Sequence, residues 1–259
     1  MTINATSIKA EKENKHNDHI VVRMEHLTKT FGQNHVLRDI NLVMNNGENL
    51  VILGKSGTGK SVLIKTIVGL VEIDEGDLFI LGQNISQLNE NELIEIRKKI
   101  GFLFQSAALY DSMTVRENLE FPLRRQLHKI PKDEMNSLVK EALHNVGLEN
   151  TIDLWPSELS GGMRKRLGLA RTLILKPEIM LYDEPTTGLD PITSKEISHL
   201  ILEVQKKYNT SSIIITHDIG CTKLIANRII VLKDGICAAE GSYSDMENST
   251  DTWIRSFFE

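Results

Sequence analysis

A glycine-rich segment between two apolar runs is the feature that most constrains the fold of this chain. The run NLVIL (49–53) is followed by GKSGTGKS (54–61) and then by VLIKTIVGL (62–70). The first run has the length of a buried strand, and the last has apolar residues at helical spacing. A glycine loop between a strand and a helix leaves backbone N–H groups free at the helix start. The segment therefore predicts an α/β fold with an anion-facing loop at one strand end.

This loop matches the complete P-loop pattern, G-x-x-x-x-G-K-[ST]. Glycines let the backbone wrap around phosphate oxygens, which need many short N–H donors. We expect Lys60 to reach the β- and γ-phosphates and the Ser61 hydroxyl to ligate Mg²⁺. A chance glycine loop is the alternative, but the strand and helix on either side argue against it. The predicted nucleotide-binding residues are Gly54, Lys55, Ser56, Gly57, Thr58, Gly59, Lys60, Ser61 and Val62.

Composition limits the class of protein. The 259 residues are 41% hydrophobic and 25% charged, which is typical of a soluble globular protein. A net charge of −5 gives no electrostatic support for nucleic-acid binding. Cys221 and Cys237 fit no metal or disulfide spacing and indicate reduced thiols in a cytosolic protein. Residues 1–19 are expected to be a flexible tail, and no apolar run approaches the roughly 18 residues of a membrane span.

Further apolar runs predict a mostly parallel sheet that is covered on both faces. IGFLFQ, EIMLYD, SSIIIT and RIIVLKDG have strand character and are separated by helical patterns. From about 106 to 175 the apolar spacing is helical throughout, which predicts an inserted helical subdomain. One stripe in that subdomain consists of Met135, Leu138, Val139, Ala142, Leu143 and Val146.

Polar residues stand where several of these strands end. Gln105 ends IGFLFQ, Asp183 and Glu184 end LYDE, and His217 follows SSIIIT. Each also has an interpretation without a function. Gln105 could be a surface amide, Asp183 and Glu184 could be a solvated strand end, and His217 could be a core or turn histidine. Parallel strands bring their carboxyl ends to one edge, however, beside the loop that carries Lys60. We therefore expect Asp183 to hold Mg²⁺ through water and Glu184 to act as general base on the attacking water.

A second anion-facing helix start occurs at LSGG (159–162). Ser160 is suited to cap the helix, and Gly161 and Gly162 allow the backbone to approach a ligand. The basic residues that follow, Arg164, Lys165 and Arg166, are interpreted as a solvated helix face.

The ordered set GKSGTGKS, Gln105, LSGG, LYDEP, GLD and His217 is similar to the ATP-binding cassette (ABC) ATPases. The similarity covers nearly the whole chain after residue 19. It implies a P-loop NTPase core with an antiparallel β subdomain and the inserted helical subdomain, spanning 20–245, and a short C-terminal segment, 246–259.

The resemblance also implies that two copies pair head to tail around ATP and Mg²⁺. Ser160, Gly161 and Gly162 would then bind the γ-phosphate held by the other copy. Phe31 falls where an aromatic ring stacks on adenine, with a core phenylalanine as the alternative. Asp190 falls in the loop that contacts the partner. Gln105 would link Mg²⁺ and water to the helical subdomain, and His217 would contact the γ-phosphate. Met163 departs from the family, which usually has glutamine there.

LSGGM, FLFQSAALYDSMTVRENLEFPLR and DEPTTGLDPITS together resemble the ATPase subunits of Mla/Mce-type phospholipid transporters. This implies a motor ATPase on the cytoplasmic face of the inner membrane, with a permease and an MCE-type lipid-binding protein as partners. The alternatives are the ATPase of a small-solute (amino-acid-like) importer, a non-transport cassette ATPase and a P-loop kinase.

Two apolar sets have a predicted docking role. The first follows Gln105 and suits a groove for a permease helix, although several of its members must pack the helical subdomain. It consists of Ala107, Ala108, Leu109, Tyr110, Met113, Phe121 and Leu123. The second set, Trp253, Phe257 and Phe258, is expected to dock on the core of the chain or on a partner.

Overall fold

The computed structural model describes residues 20–126 and 130–259, so the predicted N-terminal tail lies outside the described residues. The strands β1 to β10 cover Ile20–Phe31, Asn34–Asn45, Asn49–Leu53, Glu75–Ile80, Gln83–Asn84, Ile100–Leu103, Ile179–Asp183, Ser211–Ile215, Arg228–Lys233 and Ile236–Gly241. The helices α1 to α9 cover Lys60–Ile67, Glu90–Lys98, Val115–Gln126, Lys132–His144, Gly161–Leu173, Pro191–Tyr208, Ile219–Ile225, Tyr243–Glu247 and Thr252–Arg255.

The larger sheet has six strands in the order β10-β9-β3-β8-β7-β6. Its neighbours pair in parallel except β9 and β10, so the prediction of a mostly parallel sheet is confirmed. Every residue of β3, β7 and β8 is buried, which explains why these strands are continuous apolar runs in the sequence.

A second sheet has four antiparallel strands in the order β2-β1-β4-β5. The link from β2 to β3 is a turn at Asn46 and Gly47, with Gly47 at φ 71°. This sheet is the antiparallel part implied by the family resemblance.

The described residues between β6 and β7 form helices and turns without a strand, as the apolar spacing predicts. In the stripe on α4 and the turn after it, Val139, Ala142, Leu143 and Val146 are buried and Met135 and Leu138 are partly buried. The limits of this helical part as a subdomain, 106–175, stay a prediction.

Two apolar cores lie on opposite faces of the six-stranded sheet. Along β3, Val51 and Leu53 point into the core shared with the helices α3, α4 and α5, while Leu50 and Ile52 point into the core shared with the antiparallel sheet. This alternation follows from the two-residue period of a strand. The strands β3, β7 and β8 are therefore covered on both faces.

One strand differs from the sequence-based expectations, whereas the burial of the two apolar sets is compatible with them. Strand β10 was not predicted, because ICAAEG lacks strong strand character and is a strand through its pairing with β9. Of the apolar set after Gln105, Ala107 and Leu123 are buried, whereas Tyr110 is exposed. Trp253, Phe257 and Phe258 pack against the core shared with the helices, so they dock on the chain itself.

Both cysteines carry free thiols. Burial raises the pKa of Cys221 to about 12 and that of Cys237 to about 11, which keeps both thiols protonated near neutral pH. Along the part of the chain that the structure describes, no helix combines the length and apolar character needed to cross a membrane.

Candidate active site

Polar residues from the ends of several strands line one cavity of about 700 Å³. Gln105, Glu184 and His217 line it together with the glycine loop, as the parallel topology of β3, β6, β7 and β8 predicts. The loop residues in the lining are Gly54, Lys55, Ser56, Gly57, Gly59, Lys60, Ser61 and Val62. The sequence-predicted residues of four separate segments are thus brought together.

The glycine loop is shaped by the residues that open α1. Gly59 caps the helix at φ 99°, and a Cβ there would lie 2.7 Å from the carbonyl oxygen of Val36. Lys60 is buried, and its ammonium donates to the carbonyls of Gly54 (2.7 Å) and Lys55 (2.9 Å). Burial lowers the pKa of Lys60, while the charges of Glu184 and Asp183 oppose this shift. The Thr58 hydroxyl also donates to the Lys55 carbonyl.

Ser61 and Gln105 both line the cavity, and Asp183 lies directly behind Ser61. The Ser61 hydroxyl donates to a carboxylate oxygen of Asp183 at 3.3 Å. Asp183 is buried, and this burial raises the pKa of its carboxyl group, although the bond from Ser61 opposes the shift. Hydroxyl, amide and carboxylate oxygens are the ligands that Mg²⁺ prefers, and a cation would offset the desolvation of Asp183. The donor set therefore fits Mg²⁺.

Glu184 has a backbone conformation that is uncommon for a residue with a side chain, with φ 51°. Its carboxylate is largely buried and accepts a hydrogen bond from the Thr187 hydroxyl at 3.0 Å. The same carboxylate oxygen lies 2.8 Å from Nδ1 of His217, whose side chain is 67% exposed. Glu184 is thus oriented by two neighbours at the edge of the cavity, which is the arrangement a general base requires.

The second predicted helix start lies outside this cavity. Ser160 caps α5 by accepting from the Met163 N–H at 3.2 Å, and Ser160 and Gly162 line a separate cavity of about 380 Å³. A Cβ on Gly162 would lie 2.5 Å from the Thr193 methyl group, so the close approach of α5 and α6 requires glycine here. The two phosphate-facing helix starts of one chain therefore do not meet.

Asp190 and Phe31 also lie outside the lining of the larger cavity, as do the predicted residues Thr58 and Asp183. Asp190 caps α6, accepting from the N–H groups of Ile192 and Thr193 at 3.0 Å and from the Thr193 hydroxyl at 2.6 Å. These bonds lower the pKa of the Asp190 carboxyl group, and the bond from the Thr193 hydroxyl has the largest effect. Phe31 ends β1 with half of its surface exposed, so the alternative of a core phenylalanine is wrong. The Lys29 ammonium lies 5.3 Å from the centre of its ring.

Residues 37–187 match a protein-family model described as "ABC transporter". The chain belongs to the ABC transporter family. The matched region contains the glycine loop, Gln105, the second helix start, and Asp183 and Glu184 at the end of β7.

Relatives of this ABC cassette are named for different transport functions. It is 39% identical over 82% of its length to the "Probable ribonucleotide transport ATP-binding protein mkl" of Mycobacterium leprae, of which it spans only 61%. It is 35% identical to the "Intermembrane phospholipid transport system ATP-binding protein MlaF" of Haemophilus influenzae, covering 92% of this chain and 90% of that protein. It is 37% identical to the "Methionine import ATP-binding protein MetN" of Clostridium acetobutylicum, covering 88% and 70% respectively.

A solved structure confirms the fold. A dimeric ATP-binding cassette in a post-hydrolysis state, bound to ADP and Pi, superposes with a TM-score of 0.78 at 33% identity. The superposition covers 85% of this chain and 98% of that one. The fold is that of an ABC ATPase cassette.

The cassette also contains site residues that the sequence reasoning missed. Thr187 and Phe257 line the larger cavity. The role of Thr187 could have been found from the sequence, because a hydroxyl three residues after Glu184 can bond to the Glu184 carboxylate across a turn. The interpretation of Arg164, Lys165 and Arg166 as a solvated helix face is wrong for Lys165, because only 6% of this residue is exposed.

Proposed function

We propose that this chain is the ATP-hydrolysing motor subunit of an ABC transporter that moves phospholipid between membranes. The observation that carries the proposal is the single cavity that gathers Lys60, Gln105, Glu184 and His217 with the glycine loop. A cation, a loop of backbone donors and an oriented carboxylate at one strand edge are the parts that hydrolysis of a nucleoside triphosphate requires.

In this proposal the loop 54–62 and Lys60 bind the phosphates of ATP, and Phe31 stacks on the adenine. Ser61, Gln105 and Asp183 would hold Mg²⁺, which when bound neutralises phosphate charge. Glu184 accepts a proton from the attacking water, and its bond from Thr187 keeps the carboxylate aimed into the cavity. His217 contacts the γ-phosphate through the ring nitrogen that does not face Glu184.

The separate cavity at Ser160 and Gly162 supports a dimer as the active form. These groups line a cavity separate from the nucleotide cavity of their own chain, so a second copy would bring its own nucleotide to them. Asp190 lies against the same region, because its cap partner Thr193 touches Gly162. The dimeric cassette at 33% identity supports the same arrangement.

Phospholipid as the cargo is supported by the Haemophilus influenzae relative, which matches this chain over nearly its whole length. A permease partner is supported by the exposed Tyr110, whose ring packs 4.7 Å from that of Phe121 beside the Gln105 loop. Such an aromatic surface suits a helix from a membrane protein. We place the cassette on the cytoplasmic face of the inner membrane, held there by the permease, with an MCE-type lipid-binding protein as a further partner of the transporter.

Small-solute transport is the second candidate. It is favoured by the Clostridium relative, which is named for methionine import, and by the mycobacterial relative, which is named for ribonucleotide transport.

Two measurements test the proposal. Phosphate release from MgATP by the purified chain tests hydrolysis, and no release with or without its membrane partners would exclude a motor ATPase. Affinity purification from membranes with mass spectrometry tests the cargo. A permease with an MCE-domain protein and phospholipid would support lipid transport, whereas a permease with a solute-binding protein would favour the second candidate. A chain recovered without any membrane partner would count against both.

A further inference from the structure

Lys165 is a buried cation in the middle of α5, between the exposed Arg164 and the half-buried Arg166. Its ammonium donates to the backbone carbonyl of Gln105 at 2.5 Å and to that of Glu184 at 3.1 Å. These acceptors belong to two separate loops, one after β6 and one after β7. One side chain therefore joins both loops of the candidate active site to the same helix.

The carbonyl of Glu184 is directed by an unusual backbone conformation. At φ 51° the residue lies in the left-handed region, which persists only where the surroundings hold it. The N–H of Glu184 donates to the carbonyl of Ile215 at 2.9 Å, and Lys165 holds the carbonyl on the other side. The backbone of the proposed base is thus fixed from both directions.

The Gln105 loop is fixed to α5 at two further points. A Cβ on Gly168 would lie 2.8 Å from the Ala107 methyl group, so helix and loop touch there. The Arg171 guanidinium donates to the carbonyls of Ala108 at 2.7 Å and Ala107 at 3.1 Å. Both alanines have positive φ, 61° and 48°, so this loop is also held in a conformation that alanine rarely adopts.

Burial lowers the pKa of Lys165, while the charges of Glu184 and Asp183 oppose the shift. The desolvation of an ammonium is unfavourable unless its protons are well bonded. The side chain at this position must therefore supply strong N–H donors, because the carbonyls of Gln105 and Glu184 would otherwise lose a hydrogen-bond partner.

We propose that Lys165 is a positioning residue for ATP hydrolysis, which fixes the Gln105 and Glu184 loops to α5 so that they move with this helix. The inference rests on the proposed function. Because α5 starts at the groups 160–162, contact of those groups with the nucleotide of a second copy sets the geometry of Gln105 and Glu184 in the first copy. Lys165 is then the link by which each nucleotide site of a dimer senses the other.

The test compares Lys165→Met and Lys165→Gln in the full chain by steady-state hydrolysis of MgATP and by ATP binding. We expect Lys165→Met to lower kcat by about 10- to 100-fold, since small misplacements of reacting groups have effects of that order. KM and ATP binding should stay near wild type, and the Hill coefficient for ATP should fall towards one. Lys165→Gln keeps N–H donors and should regain much of the lost kcat.

Arg97→Met is the matched control, because Arg97 also donates to two backbone carbonyls, those of Val68 (2.8 Å) and Gly69 (2.9 Å), but lies outside the cavity. It should lower Tm without changing kcat or the Hill coefficient. A Lys165→Met chain with wild-type kcat and Hill coefficient overturns the inference, as does a folded Lys165→Met chain that loses ATP binding together with turnover.

Arg171→Met is a second variant for the case that Lys165→Met does not fold. Lowered kcat with unchanged ATP binding would support fixation of the loop by α5, and wild-type kinetics would overturn it. The failures are distinguishable. A wild-type chain that does not hydrolyse ATP refutes the proposed function, whereas an active wild type with equally active variants refutes only the role of Lys165.

Discussion

Replacing Glu184 with glutamine separates the chemical role of this residue from its structural one. In the native chain the carboxylate accepts a bond from the Thr187 hydroxyl at 3.0 Å and lies 2.8 Å from Nδ1 of His217. A glutamine amide has nearly the same shape, and its oxygen, in the place of the carboxylate oxygen that faces both neighbours, accepts from the Thr187 hydroxyl and from the Nδ1–H of His217. We therefore expect the free energy of unfolding to change by no more than about 1 kcal/mol, the net value of one hydrogen bond.

The amide cannot accept a proton from water, so the chemical effect is expected to be much larger. A positioned general base contributes about 10²- to 10⁴-fold to a rate. This corresponds to roughly 3–5 kcal/mol in the activation free energy. Glu184→Gln should thus bind MgATP normally, release phosphate at least about 100-fold more slowly and persist as an ATP-bound dimer.

The assay is single-turnover phosphate release, with Tm and size-exclusion chromatography in MgATP on the same sample. Thr187→Val is the matched control, because it keeps the carboxylate and removes only the hydroxyl that orients it, so about a tenfold loss is the most we expect. Phosphate release by Glu184→Gln within threefold of the wild-type rate would refute the assignment of Glu184 as base.

Three other predictions concern the same region. Lys60→Met removes the cation over the glycine loop and should abolish binding of a fluorescent ATP analogue or turnover; near-normal activity would contradict the P-loop assignment. Burial raises the pKa of Asp183 above 3.8, so its charged form destabilises the fold once the pH exceeds the folded pKa. Asp183→Asn should therefore raise Tm at pH 7, by an increment that shrinks towards pH 4, and an unchanged or lower Tm at pH 7 would contradict this. Gly162→Ala places a methyl group against that of Thr193 and should destabilise the fold by about 1–3 kcal/mol. Thr193→Ser in the same chain removes that methyl group, and failure to recover Tm in thermal denaturation would show that the clash is not the cause.

The parts of the site that the sequence predicts are those with local causes. The glycine loop is specified by a strand, a turn and a helix within about twenty consecutive residues, and each has its own signal. The meeting of Gln105, Glu184 and His217 follows from parallel pairing alone, since every such strand ends at the same edge. The cap role of Asp190 also has a local signal, because an acid before a proline is typical of a helix start.

The parts that the sequence does not predict depend on distant segments. Lys165 stands between two arginines, and nothing in that triplet distinguishes a buried side chain from a solvated one. Its burial arises because loops 60 residues before it and 19 residues after it close over its ammonium. Strand β10 depends in the same way on its pairing with β9.

The separation of the interior into two cores has a consequence for how such a chain diverges. The sheet isolates the side chains behind the phosphate loop from those that support α3, α4 and α5. A substitution that reshapes the helical surface must be accommodated on its own side of the sheet, because voids and overpacking act on immediate neighbours. Related chains with different cargoes can therefore change the surface that contacts a permease while the residues that support the phosphate loop stay the same.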